Sequence, residues 1–344
     1  MDTLKIAIVG AGTWGESHAS IYAEHPKAQC VAICDTNRER ADRFAAKHHL
    51  PNTYYDYREM LEKCDCDAVA IVTPDFLHAE IAIACAEAGK HLLIEKPLAT
   101  KREDVLAIVD AIEKNHVRAM VDLHNRWNPP FNLVRQMVSS GEYGAAKTAY
   151  FRLNDALWVA TDMLSWTAKS SILWFLGSHS LDTMSWIIGS LPEEVFAYKT
   201  AGRLAALGID TVDAYQTAIK YRNGTIAQME NSWITPNGNS NVNDFKFDIV
   251  LEHGKFDIDA SSHNLIQLTT EKTFFTPDVL VKNNVFGRCT GFAFESIRCF
   301  VDRMISGEPF HVSLREAANV SLAILAIMES AEQGKPVRTQ LIEQ

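Results

Sequence analysis

Three short stretches of this chain hold residues able to do chemistry. The first, Gly10-Ala11-Gly12-Thr13-Trp14-Gly15, has the spacing G-x-G-x-x-G. It lies between the apolar run Leu4 to Val9 and an amphipathic run from Glu16 to Ala23. Between a buried strand and a helix each glycine has a task. Gly10 permits a tight turn, Gly12 lets backbone approach a pyrophosphate, and Gly15 lets the helix sit close on the sheet. The phosphates would meet the positive end of the helix and its unpaired N–H groups. Ala11, Thr13 and Trp14 complete this loop, and Trp14 either stacks near the pyrophosphate or packs outward. A second apolar run, Cys30 to Cys34, ends in Asp35, 20 residues after Gly15. A carboxylate there accepts hydrogen bonds from both ribose hydroxyls and repels a 2′-phosphate. That favours NAD over NADP, while Arg38, three residues on, faces an adenosine phosphate and weakens the preference.

The second stretch is Glu95-Lys96-Pro97, directly after the apolar run His91 to Ile94. Lys96 falls at the C-terminal end of a parallel strand, the edge at which open α/β sheets bind ligands. Read on position alone, it is either a solvated loop residue or a cation facing a ligand. The third stretch is His179-x-x-Asp182, on an apolar helical run. A histidine there is either structural or a proton-transfer group, its ordinary pKa near neutrality suiting transfer in both directions. Asp182, nearly on the same face, either orients the imidazole or is structural. Thr73 and Pro74 close another strand, and His78 follows at a helix N-terminus, where it can satisfy backbone. His124, Asn125, Arg126, Arg152, Asn154, Asp155 and Trp158 combine polar donors with an aromatic face, a mixture that suits a sugar or cyclitol ring.

Strands and helices alternate over the first stretch of chain, which places these residues at strand ends. Arg38 to His49, Tyr57 to Lys63, His78 to Ala88 and Arg102 to Asn115 have helical spacing, the last with Thr100 as its cap. Ala68 to Val72 and Ala119 to Leu123 are further buried strands. This pattern is a doubly wound α/β domain over residues 1–123. Residues 124–344 form a second domain. Phe131 to Ser140 and Ser171 to Ile188 are helices, and from Glu194 the apolar period switches to two. Asn223-Gly224 and His253-Gly254 join strands as tight hairpins. The second domain is therefore an α+β unit on an open, mainly antiparallel sheet. Thr235 to Asn243, rich in Asn, Gly and Ser, is a loop or lid. Leu314 to Gln333 is a helix that packs between or across the domains.

Composition limits the partners. Of 344 residues, 47% are hydrophobic and 22% charged, enough for two well-packed cores. A net charge of -10 offers no general attraction to nucleic acid or to an anionic membrane. No apolar stretch reaches the ~18 residues of a membrane span, and no signal peptide precedes the first strand. The seven cysteines are odd in number, and Cys64-Asp65-Cys66 lacks a second pair, so the expectation is free thiols, no metal and a cytoplasmic location.

The glycine loop, Thr73-Pro74-Asp75-Phe76-Leu77-His78 and Gly89-Lys90-His91-Leu92-Leu93-Ile94-Glu95-Lys96-Pro97 together resemble the Gfo/Idh/MocA oxidoreductases. The likeness extends through Arg126-x-Asn128-Pro129, Ser139-x-Gly141-Glu142-x-Gly144 and Gly177-Ser178-His179-x-x-Asp182. It implies an N-terminal Rossmann domain, a C-terminal domain on an open sheet, and bound NAD or NADP. It also implies a small-molecule substrate, mostly a sugar, polyol or derivative, and a homodimer or homotetramer built through that sheet. Lys96 becomes a catalytic lysine that hydrogen-bonds the reacting hydroxyl, and His179 the general base. Glu95, Pro97, Thr73, Pro74 and His78 fall near the cofactor, with a cis Lys96–Pro97 bond. One departure matters: where many members carry an aspartate four residues before the histidine, this chain has Phe175, whose ring shapes the pocket instead. Alternatives are an enzyme that uses NAD transiently for elimination or glycoside cleavage, and a non-catalytic cofactor or sugar sensor.

Overall fold

Six short segments, each ending near a residue named above, assemble into one parallel sheet in the computed structural model, which describes residues 3–261 and 265–343. They are Leu4–Val9 (β1), Ala28–Cys34 (β2), Asn52–Tyr54 (β3), Ala68–Ile71 (β4), His91–Glu95 (β5) and Ala119–Asp122 (β6). Their order is β3-β2-β1-β4-β5-β6, with every pair parallel. β4 and β6 are buried along their whole length, as a strand covered by helices on both faces must be. The helices are Thr13–Glu24 (α1), Arg38–His48 (α2), Tyr57–Lys63 (α3), His78–Glu87 (α4) and Arg102–Lys114 (α5). Asn37 and Asp56 cap α2 and α3 by accepting the Arg40 and Arg58 N–H groups. The cap of α5 is Lys101 rather than Thr100 and makes no side-chain hydrogen bond. Glu103 and Asp104 in its first turn complement the helix dipole instead.

The second sheet has seven strands. Ala146–Ala156 (β7), Pro192–Thr200 (β8), Ala214–Tyr221 (β9), Ile226–Thr235 (β10), Asn243–Leu251 (β11) and Lys255–Asp259 (β12) are joined by an edge piece, Val337–Arg338. The order is β12-β11-β7-β10-β9-β8 and then that edge. Only β7 and β10 pair in parallel, so the sheet is mainly antiparallel, as expected. Side chains alternate between a covered and an open face, as in β9, where Tyr215, Thr217, Ile219 and Tyr221 are buried and Gln216, Ala218 and Lys220 exposed. On the covered face Phe131 of helix Pro129–Ser139 (α6) stacks on Phe151 and Phe245. Asn231 of β10 donates to Ser180 Oγ, 2.9 Å away on helix Ser178–Ile188 (α7). The single helix expected from Ser171 to Ile188 is two pieces, a wide π-type turn over Leu173–Gly177 followed by α7.

The remaining elements are the small hairpins Leu268–Thr269 (β13) with Phe274–Phe275 (β14) and Asn283–Val285 (β15) with Arg288–Thr290 (β16), the helices Phe292–Ser306 (α8) and Leu314–Gln333 (α9), and Val337–Arg338 (β17). The chain divides into two compact units. One holds the N-terminal stretch through His124 together with Val281–Ala318, the other Asn125–Leu280 together with Asn319–Ile342. α8 therefore belongs with the first unit, burying Ile297, Phe300, Val301 and Met304 there. The division also cuts α9, whose first turn lies in the first unit and the rest in the second. No described helix is long and apolar enough to cross a membrane.

Candidate functional site

In the first unit the glycine loop has the shape its spacing demands. Gly10 has φ +113°, and a Cβ there would lie 2.5 Å from the Val72 carbonyl oxygen. A Cβ on Gly15 would overlap the Gly10 carbonyl, so the helix can sit this close only as glycine. A Cβ added at Gly12 would meet nothing within 4 Å, which leaves open the face a pyrophosphate approaches. Gly12 is also the cap of α1 and makes no side-chain hydrogen bond, so no side chain competes for the first N–H groups of the helix. These features fit a dinucleotide. Asp35 is buried at the end of β2 and accepts from the Ala11 N–H at 2.9 Å and the Asn37 N–H at 2.8 Å. Arg40 binds it with both Nε and Nη2. Burial by itself would raise the pKa of Asp35, but these four donors hold it below the ordinary carboxylate value. Arg38 lies 4.0 Å over the ring of Tyr55.

Trp14 stands edge-on to His124, with ring centroids 5.7 Å apart, and the Lys282 ammonium sits 4.9 Å above the Trp14 ring. Thr73 and Pro74 follow β4. His78 is buried and ties two strand ends together, with Nδ1 2.7 Å from the Pro97 carbonyl and Nε2 3.0 Å from that of Thr73. The Lys96–Pro97 bond is cis. Lys96 is half-buried, and its charge acts on both Glu95 and His78.

Glu95 points into a buried group that the sequence did not suggest. Its Oε1 lies 3.0 Å from His18 Nε2, and His18 Nδ1 lies 3.0 Å from the Tyr22 hydroxyl. Asp122 is its register partner on β6. Burial and then the Asp122 charge raise the pKa of Glu95 well above the carboxylate range. Burial pushes His18 down to about 4. Burial would also raise Asp122, but its neighbours His124, with Nδ1 3.7 Å from Oδ2, and Ser296 hold its pKa below the ordinary carboxylate value. The group thus sets a protonated Glu95 beside the Asp122 carboxylate and a neutral His18 imidazole. One ligand-type atom from each of His18, Glu95 and Asp122 lies within 4.8 Å of the others, a donor set with the composition of a metal site.

In the second unit α7 carries His179 and Asp182, both buried. Asp182 is gripped by Arg126, whose Nε donates to Oδ2 at 3.0 Å and Nη2 to Oδ1 at 2.6 Å. The Arg126 guanidinium also faces the Trp186 ring at 5.6 Å. Phe175 belongs to an aromatic wall, 6.2 Å from Trp166 and 6.1 Å from Trp233. Asn125 is buried. Asp155 is also buried, accepting from the Asn243 amide. Trp158 is half-buried, and its N–H donates to Asn237 at 2.8 Å, which ties the Thr235–Asn243 loop to β7. Arg152 and Asn154 lie on the open sheet face, where Arg152 pairs with Asp244 and Asn154 donates to Glu230. The residues that sequence reasoning missed are His18, Asp122, Lys282 and Ser296. Ser296 lies in α8, whose buried residues recur at helical spacing, a signal legible in principle.

A sheet of order 3-2-1-4-5-6 with an open glycine cradle and a buried acid at the end of β2 is a dinucleotide-binding Rossmann architecture. Residues 4–123 match the model of the "Oxidoreductase family, NAD-binding Rossmann fold", and residues 131–257 match that of the "GFO/IDH/MocA C-terminal domain". The chain belongs to the Gfo/Idh/MocA oxidoreductases. It is 29% identical to levoglucosan dehydrogenase of Pseudarthrobacter phenanthrenivorans, over 72% of each chain. It is 24% identical to myo-inositol 2-dehydrogenase of Thermotoga maritima, over 98% of this chain and 99% of that one. Its fold is that of GenD2 from gentamicin A biosynthesis, solved with NAD, at TM-score 0.86 and 20% identity, covering 99% of this chain and 97% of that one.

Proposed function

We propose that this enzyme moves a hydride between the hydroxyl-bearing carbon of a sugar, polyol or derivative and nicotinamide, with Lys96 and His179 handling the hydroxyl proton. Bound NAD supplies the hydride acceptor. The glycine cradle and Asp35 hold and orient it. The Lys96 ammonium hydrogen-bonds the reacting oxygen and stabilises its developing negative charge, and His179 takes the proton. Arg126 is fixed by Asp182, one helical turn from His179, and Phe175 and Trp166, backed by the buried Trp233, offer aromatic surface to the apolar side of a ring. The observation that carries the reading is the buried His179 on the same helix as Asp182, which the buried Arg126 grips. Levoglucosan dehydrogenase and myo-inositol 2-dehydrogenase, by name, act on carbohydrate and cyclitol substrates, which supports this substrate class.

The test is a panel of sugars, cyclitols and sugar acids monitored for NAD reduction, with Lys96→Ala and His179→Ala run beside wild type. Net NADH formation with an alcohol substrate is the expected result. Both variants should lose at least about a hundredfold in kcat while NAD binding, followed by calorimetry, persists. A variant with wild-type turnover removes that residue from the mechanism. Turnover without net NADH identifies transient use of the cofactor. We further propose that the open face of the seven-stranded sheet joins subunits into a dimer or tetramer.

A further inference from the structure

We propose that Arg40 sets the nucleotide preference of this enzyme by competing with the adenosine ribose for Asp35. The inference rests on the nucleotide site and adds which residue there decides between NAD and NADP. An ionised carboxylate offers about four acceptor positions on its two oxygens. All four are in use. Oδ2 accepts from the Ala11 N–H at 2.9 Å and from Arg40 Nε at 2.9 Å, and Oδ1 from the Asn37 N–H at 2.8 Å and Arg40 Nη2 at 2.7 Å. The backbone donors are fixed, one inside the glycine loop and the other at the cap of α2. Arg40 can leave: its side chain is 48% exposed and its planar fork rides on a rotatable stem.

A ribose diol that donates to Asp35 must therefore take the positions Arg40 holds. NAD binding exchanges a bidentate, charge-assisted fork for two neutral O–H donors, which blunts the advantage the acid would otherwise give NAD. A 2′-phosphate meets the opposite situation. The acid repels it, and the displaced guanidinium is a bidentate partner for it. Arg38, the basic residue first expected in that role, sits over the Tyr55 ring at 4.0 Å, and the Tyr55 hydroxyl itself donates to Asp42 at 2.8 Å. Discrimination falls to Arg40, and the two residues Asp35 and Arg40 pull in opposite directions.

Calorimetric titration of wild type and Arg40→Ala with NAD and with NADP, on protein freed of nucleotide, tests this. In Arg40→Ala, NAD should bind as tightly as in wild type or more so. NADP should weaken about tenfold or more, so the ratio of the two affinities widens by at least that factor. Arg40→Gln keeps the stem and the helix propensity without the charge, and should move the ratio in the same direction if the alanine variant does not fold. An unchanged or narrowed ratio overturns the proposal, as does equal weakening of both nucleotides, the signature of a residue that only braces the loop. A wild type that binds neither nucleotide removes the nucleotide reading and this inference with it.

Discussion

Glu95 shows how far a residue's role departs from its place in a motif. It sits one position before Lys96, yet its carboxyl is turned into the protein toward His18 and Asp122. Holding Glu95 protonated has a consequence for stability. Its folded pKa lies above its unfolded value, so the stabilisation is fully present below about pH 4.5 and is lost as pH rises toward the folded value. His18 acts in the opposite sense between about pH 4 and pH 6.5, where the unfolded chain binds a proton that the buried imidazole refuses. The two effects oppose each other within that window. Glu95→Gln, neutral at every pH, should therefore remove the decline in stability that the Glu95 carboxyl imposes as pH rises above about 4.5. Urea unfolding at several pH values checks it. Parallel curves for wild type and variant would show that Glu95 is ionised in the fold.

At the scale of elements, the strand–turn–helix at the N-terminus separates two demands that its three glycines meet. Gly10 and Gly15 are required by packing, since added methyl groups meet backbone oxygens. Gly12 has open space and an ordinary φ of -85°. Gly15→Ala should accordingly cost about 2–3 kcal/mol of stability through overpacking. Gly12→Ala should fold within about 1 kcal/mol of wild type yet lose most of its NAD affinity, because the methyl group occupies the approach to the pyrophosphate. Thermal melts and NAD titration of both variants decide the matter. A Gly12 variant with full affinity would mean that the backbone there is not approached. Most elements were legible in the sequence because apolar period and glycine stops act locally. The break at Leu173–Gly177 was not, since Leu173, Trp174 and Leu176 continue the apolar run without a proline to mark it.

At the scale of the whole molecule, the seven-stranded sheet leaves one face open. Aligned across it run Tyr198, Gln216, Glu230, Arg152 and Lys246, and beside them Glu194, Lys220, Ile226, Thr148 and Val250. Tyr198 is 66% exposed and Ile226 58% exposed, apolar surface among mixed charges, which is the make-up of an interface. The double variant Tyr198→Glu with Ile226→Glu should lower the sedimentation coefficient to that of a monomer while leaving the far-UV spectrum unchanged. An assembly of wild-type size would move the subunit contact elsewhere. Arg152, expected at the substrate, lies in this row. Strand alternation puts it on the open face because its neighbours Phe151 and Leu153 take the buried one.

The sequence by itself determined the alternating architecture, the nucleotide cradle and its acid, and the lysine at the end of β5. Each of these depends on residues close together along the chain, where hydrophobic period, glycine spacing and strand-end position act. Only the tertiary structure decided which side chains meet across long separations. Arg126 grips Asp182, 56 residues away, and Glu95 meets His18, 77 residues away. The packing of α7 against the turn His124–Trp127 sets the first meeting and the approach of α1 to β5 the second, and a side chain's neighbours then fix its charge. Arg40 shows the limit at short range too: five residues from Asp35, it turns back onto that acid because α2 begins where β2 ends.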